Sequence, residues 1–361
     1  MKDGKAGKKR IWTRDAWIAL LVFLFVFAAG YVHLRSLRTD RSAVTGIELL
    51  YGPAVMLAQG RGFIAPDLLE YPEFRAFVRG DIESLPPNAL PERVIENPSQ
   101  VASYHRYLVY TVALFWRLFG ISWTSLEPLL ALLLAWSGVA VYGIMRLGMK
   151  RGYALAATLL FMISPAMLCL LTELRDFSKA PFMLSMLVGI GWLLKYRVRS
   201  RQLFFWAVAF GLLAGVGMGF RQDVFVFLPL ALVVLAVSAI RTEDAGRWLR
   251  LSALPLCLAC SYLVAWPMLG RMEGAAHPDH HLVQGFSIKR LDNLGILPAS
   301  YRPMSSGSDC YVFSALQDHS RRVDGAEAGR LVVQPERRMS PTTRHIRIRN
   351  REECFMNERS G

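Results

Sequence analysis

The chain has 361 residues, 53% of them hydrophobic and 19% charged, with a formal net charge of +14. So basic a balance suggests nucleic acid in a soluble protein, but here much of the Lys and Arg flanks apolar runs, which positive-inside topology explains with no nucleic acid as partner. Of the five cysteines, Cys169, Cys257 and Cys260 fall inside apolar runs, which excludes a disulfide framework and leaves Cys310 and Cys354 as the candidates for oxidation.

In chain order, Lys2, Lys5, Lys8, Lys9, Arg10 and Arg14 precede an uncharged run over residues 16–32. This predicts a cytoplasmic basic tail, 1–15, and an uncleaved first membrane helix. The run is longer than the apolar core of a secretory signal, and more membrane segments follow. One crossing puts the next segment outside, and it carries Asp40, Glu48, Asp67, Glu70, Glu73, Asp81, Glu83, Glu92 and Glu96. Pro86, Pro87, Pro91 and Pro98 forbid a continuous helix there. Residues 47–58 have apolar positions at helical spacing and end at Gly60-Arg61-Gly62, which predicts a short helix lying on the membrane surface. Residues 107–116 are a second apolar piece, too short to span.

Further spans are predicted near 128–145, 153–171, 180–194, 203–220, 224–240 and 251–269, seven in all. Arg146, Lys150 and Arg151 follow the second, Lys195, Arg197, Arg199 and Arg201 the fourth, and Arg241, Arg247 and Arg250 the sixth. That alternation places the amino end inside and the carboxyl end outside. The expected fold is an all-α polytopic membrane domain over 16–269, with a long outer loop at 34–127. An outer polar segment follows at 270–361, whose end reads as disordered.

Two places hold both signs of charge in a few residues at predicted outer ends of spans. Glu173-Leu-Arg-Asp-Phe-Ser-Lys179 lies between two apolar runs, and Arg221-Gln-Asp223 between two others. One such charge at bilayer mid-depth costs about 2.5–3.5 kcal/mol on insertion scales, so the first stretch is either a surface turn or a paired polar cluster lining a cavity. Continued helix would set Glu173, Asp176 and Lys179 on one face. The bland alternative for both places is ion pairing that fixes helix ends.

Gly211, Gly215 and Gly219 recur every four residues, the spacing that lets a neighbouring backbone approach closely. Cys257 and Cys260 have redox or zinc spacing, but no second ligand pair, so helix packing is expected. His277-Pro-Asp-His-His281 reads as surface histidines ahead of a metal site, because Pro278 disrupts regular spacing.

The order of these features resembles the GT-C-fold membrane glycosyltransferases that use polyprenyl-phosphate sugars, among them protein mannosyltransferases and transferases of lipid-A sugars. The likeness rests on Gly46-Ile-Glu48 through Tyr51, Ala58 and Gly60-Arg-Gly-Phe63, on His105-Arg-Tyr-Leu-Val-Tyr110 through Leu118-Phe-Gly-Ile-Ser122, and on Gly211-Leu-Leu-Ala-Gly215 through Arg221. With the Arg175-Asp176 turn it covers residues 16 to about 270. It implies transfer of a sugar from a polyprenyl-phosphate donor to a lipid, glycan or protein acceptor, outside a bacterial inner (plasma) membrane. By resemblance a carboxylate accepts or orients the acceptor proton, and cations hold the leaving phosphate.

The family's base is the first member of an acidic pair, where this chain has Ile47, so Glu48 and nearby Asp40 are the candidates. Arg221, Lys179 and Arg175 are the candidates for phosphate, with Glu173, Asp176 and Asp223 as supporting polar residues. Cofactors stay open, a divalent metal among them, and no metal-ligand set is identified. The family carries further spans and an outer domain, which leaves open a shortened or frame-shifted chain. A non-catalytic scaffold is the competing reading. A transporter would be expected to place ionisable groups near mid-membrane rather than at span ends.

Overall fold

The structure is a computed structural model that describes residues 3–36, 48–66, 71–79, 81–86, 94–95, 100–242 and 246–269. All lie in the first, Met1–Glu273, of two units into which the chain divides. The helices are α1 (Asp3–Ser36), α2 (Glu48–Ala58), α3 (Pro72–Arg79), α4 (Gln100–Tyr104), α5 (Arg106–Phe119), α6 (Glu127–Gly148), α7 (Arg151–Met162), α8 (Pro165–Leu170), α9 (Leu174–Phe177), α10 (Ala180–Lys195), α11 (Ser200–Phe220), α12 (Phe227–Arg241), α13 (Arg247–Leu251) and α14 (Ala253–Leu269). The one ladder among the described residues is a two-residue antiparallel pairing of Ala65–Pro66 with Val94–Ile95.

Six helical segments are long and apolar enough to cross a membrane: Arg14–Ser36, Trp123–Gly148, Leu174–Lys195, Ser200–Phe220, Gln222–Arg241 and Trp248–Leu269. The segment expected to make the third crossing is divided. α7 stops at Met162, the Ser164 hydroxyl accepts from the Met167 amide at 3.4 Å, and Pro165 opens α8. Proline is tolerated in a first helical turn, where its missing N–H costs nothing, but it cannot continue the ladder of the helix before it. The two pieces still run from one end of the bundle to the other. α7 begins where Asp15 binds Arg151 at 2.7 Å and Arg146 at 3.1 Å, while Leu171, just past α8, packs near Gly30 in the far half of α1. At that far end Arg35 meets the buried carboxylate of Glu127 at 3.5 Å.

α2 differs from its expected place on a lipid surface. Every residue from Leu50 to Met56 is buried, because α3, α4 and α5 close over it. Four rings lock this loop layer: Tyr51 lies 5.2 Å from Trp123 and 6.1 Å from Trp116, and Phe77 lies 5.6 Å from Trp116 and 5.4 Å from Trp123. Both indoles also donate, Trp116 to the Ser122 carbonyl at 2.9 Å and Trp123 to the Phe77 carbonyl at 2.8 Å, so neither ring N–H is left unmet.

The glycine spacing of α11 faces α14. A Cβ at Gly211 would stand 2.5 Å from the Cys257 carbonyl oxygen and 2.6 Å from the Cys260 Cβ, and one at Gly215 would stand 2.8 Å from the Ser261 carbonyl oxygen. The cysteines thus belong to a packing seam. Backbone oxygens cannot swing away as a side-chain tip can, so Gly211→Val must part the two helices. Overpacking of this kind costs about 1–3 kcal/mol. The variant is expected to melt earlier in detergent than Gly148→Val, where the space beside the glycine is open; equal melting of the two would contradict the seam.

Candidate functional site

The local sequence around α9 alternates anchors and charges. Leu174, Phe177 and Ser178 are buried, the Ser178 hydroxyl donating to the Arg175 carbonyl at 2.9 Å, and this leaves Arg175 and Asp176 toward the bundle end. α10 then starts after Lys179. On the other side, α11 ends at Phe220 and Arg221 takes an extended conformation, its amide donating to the Gly217 carbonyl at 2.8 Å. A single 3-10 turn, Gln222–Val226, follows, pinned by buried Val224 against Gly217. The glycine matters here because a Cβ would stand 2.7 Å from Val224 Cγ1.

These two turns place the five charged residues together. Lys179 Nζ donates to Asp223 Oδ2 at 2.6 Å, and Arg221 Nε donates to the same oxygen at 3.0 Å. Arg221 Nη1 lies against Asp176 Oδ1, which also accepts from Arg175 Nε at 3.2 Å. Arg221 is the best covered, its side chain 23% exposed, while Asp176 and Asp223 are 47% and 48% exposed. Ion pairs this open contribute roughly 0.2–1 kcal/mol each. They hold geometry more than they stabilise the fold.

Two further groups border the cluster. The Tyr51 hydroxyl is wholly buried, and burial pushes its pKa far above the ordinary tyrosine range; Arg175 pulls it back and Glu173 adds to the rise. Tyr51 therefore stays protonated near neutrality, within electrostatic reach of both residues. Glu48 opens α2 one helical turn before Tyr51, but its side chain, Ile47 and Asp40 lie outside what is described.

The second group is Arg106, which sequence reasoning missed. Its guanidinium sits over the rings of Phe63 at 5.1 Å and Tyr110 at 5.3 Å, and its Nε donates to the Tyr110 hydroxyl at 2.7 Å. Its Nη1 donates to the Pro267 carbonyl at 3.2 Å. Next to it, the Tyr107 hydroxyl donates to the Val264 carbonyl, and its ring fills the space a Cβ on Gly219 would need, two residues before Arg221. The signal in the sequence was a cation opening an apolar helix with a tyrosine four residues on, within reach on one face.

Phe63, Arg106 to Tyr110, and Gly219 to Arg221 come from three separate stretches, and Arg106 and Tyr107 join them. Among the described residues, no group of three or more His, Cys, Asp or Glu side chains is placed to hold a metal ion, and the His277 to His281 stretch lies outside them. Comparison with protein-family models, with curated proteins and with solved structures finds no match to this chain.

Proposed function

We propose that this chain is a membrane glycosyltransferase that moves a sugar from a polyprenyl-phosphate donor to an acceptor at the outer end of its helix bundle. The observation that carries this reading is the meeting of Arg175, Lys179 and Arg221 beneath the α2 and α5 loop layer. Cations at helix ends beside lipid suit a leaving phosphate, because they oppose the negative charge that develops as the sugar departs. Arg221 would grip phosphate oxygens through its planar fork, with Lys179 and Arg175 as point charges beside it. Glu48, by its place before α2, would accept or orient the acceptor proton. A neutral Tyr51 and the ring-flanked Arg106 would shape the region facing the donor.

A second reading has its own observation. Every cation of the cluster already meets a carboxylate, Arg221 two of them, so the pairs hold the turns together with no ligand present. A non-catalytic membrane scaffold would need these pairs only to fasten α9 and α10 to the end of α11.

Radiolabelled sugar transfer from polyprenyl-phosphate donors, in membranes with and without the protein, separates the two. Protein-dependent transfer supports the enzyme. No transfer from any donor tried, with the protein inserted, favours the scaffold.

A further inference from the structure

At the end of the bundle opposite the charged cluster, α10 and α12 stop beside one another and leave a cavity of about 400 Å³. Its polar lining comes from Lys195, Tyr196, Arg197, Ser238 and Arg241, with no carboxylate among its lining residues. The shape is set by a short extended link between α10 and α11. Val198 turns inward and is buried, and the Thr242 hydroxyl meets its carbonyl at 3.1 Å and the Ser238 carbonyl at 2.8 Å. That tie holds Arg197 at the surface beside the last turn of α12.

Not every charge is free. Lys195 Nζ donates to the Leu147 carbonyl and lies 5.2 Å from the Tyr196 ring. The carbonyl ends of α10 and α12 also carry partial negative charge, which Lys195 and Arg241 offset. The side chains of Arg197 and Arg241 make no hydrogen bond or ion pair among the described residues. Glu243 and Asp244, the nearest acids in sequence, lie outside them.

We propose that this cavity is a site for a phosphate-bearing ligand held by Arg197 and Arg241, the anionic headgroup of a membrane phospholipid or free phosphate. Its volume equals about thirteen waters, enough for a phosphodiester with part of its hydration. Leu194 lines the opening and is 51% exposed, and Ile240, next in the chain to Arg241, is 61% exposed, so apolar surface for an acyl chain adjoins the charges. Basic pockets between helix ends are where membrane proteins bind acidic headgroups, and the basic loops predict this end to face inward. The site shares no residue with the charged cluster and does not depend on the proposed transferase activity.

The test uses the full chain in a neutral detergent, titrated with phosphatidylglycerol, phosphatidylcholine or sodium phosphate. Retained lipid is counted by native mass spectrometry, and the thermal midpoint is followed. Phosphatidylglycerol is expected to be retained and to raise the midpoint, more so at low salt, and phosphatidylcholine to do neither. Arg197→Gln with Arg241→Gln should weaken retention about thirtyfold, the product of two surface arginines. The pair of lysine substitutions should keep most of it. A midpoint rise with sodium phosphate that also displaces the lipid assigns free phosphate as the ligand, whereas no such rise assigns the headgroup. If the double glutamine variant does not fold, Arg241→Gln alone should weaken retention about fivefold. Retention of phosphatidylglycerol by the glutamine variants equal to that of the unaltered protein overturns the proposal.

Discussion

Glu48→Gln is expected to lower sugar transfer about 100- to 10,000-fold, the usual loss when a general base is removed, while the protein stays inserted and folded. The change keeps size and removes only the ability to take a proton. Folding should survive because α2 is anchored by Leu50, Tyr51, Ala54, Val55 and Met56, all buried and all untouched by the change. Ile47 cannot take over, having no titratable atom. Asp40→Asn should do less, since Asp40 lies eight positions earlier, away from the turn that leads to Tyr51. Transfer rates of both variants, normalised to inserted protein, decide the matter. Full activity in both would end the assignment of the base to this loop.

Arg221→Ala is expected to weaken donor use roughly ten- to hundredfold, since a hydrogen bond to a charged group contributes about 1.5–3 kcal/mol. Arg221→Lys should lose less, keeping the charge but not the fork. Neither should disturb insertion. With Arg221 gone, Lys179 still meets Asp223 and Arg175 still meets Asp176, and both carboxylates are about half exposed, so no bare charge is buried. Asp223→Asn is the comparison: it loosens the turn but removes no phosphate ligand, and should shift melting more than donor affinity. Donor titration on purified variants reads the result. An Arg221→Ala variant whose apparent donor affinity is unchanged would return this residue to fastening helix ends.

The fold was legible wherever one chemical contrast dominated. Uncharged runs between basic clusters located the long apolar helices, because burying charge in lipid is costly whatever the tertiary contacts. The same rule missed the division at Ser164 and Pro165, which is a backbone matter and leaves apolarity unchanged. It also could not tell a lipid-facing helix from one covered by protein. α2 has the same apolar residues either way, and only the arrival of α3, α4 and α5 decides. The site was legible in part for a similar reason. Arg175, Asp176, Lys179, Arg221 and Asp223 stand out against apolar neighbours, whereas Arg106 is one basic residue at the start of an apolar helix until Phe63 and Tyr110 flank it. Asp15 was lost in a basic tail, since its partners Arg146 and Arg151 are more than a hundred positions away.

The bond from Tyr107 to the Val264 carbonyl spans 157 positions of chain. A ribosome adding roughly 5–20 residues each second would need about eight to thirty seconds between the two. Through that interval α5 has been made, but the strip of α14 that receives Tyr107 has not. The glycine face of α11 waits as well, because α12 and α13 come off before α14. The loop layer above the charged cluster is therefore finished from the back of the chain, and a protease present during synthesis should find residues 100–120 open far longer than it does once α14 is in place.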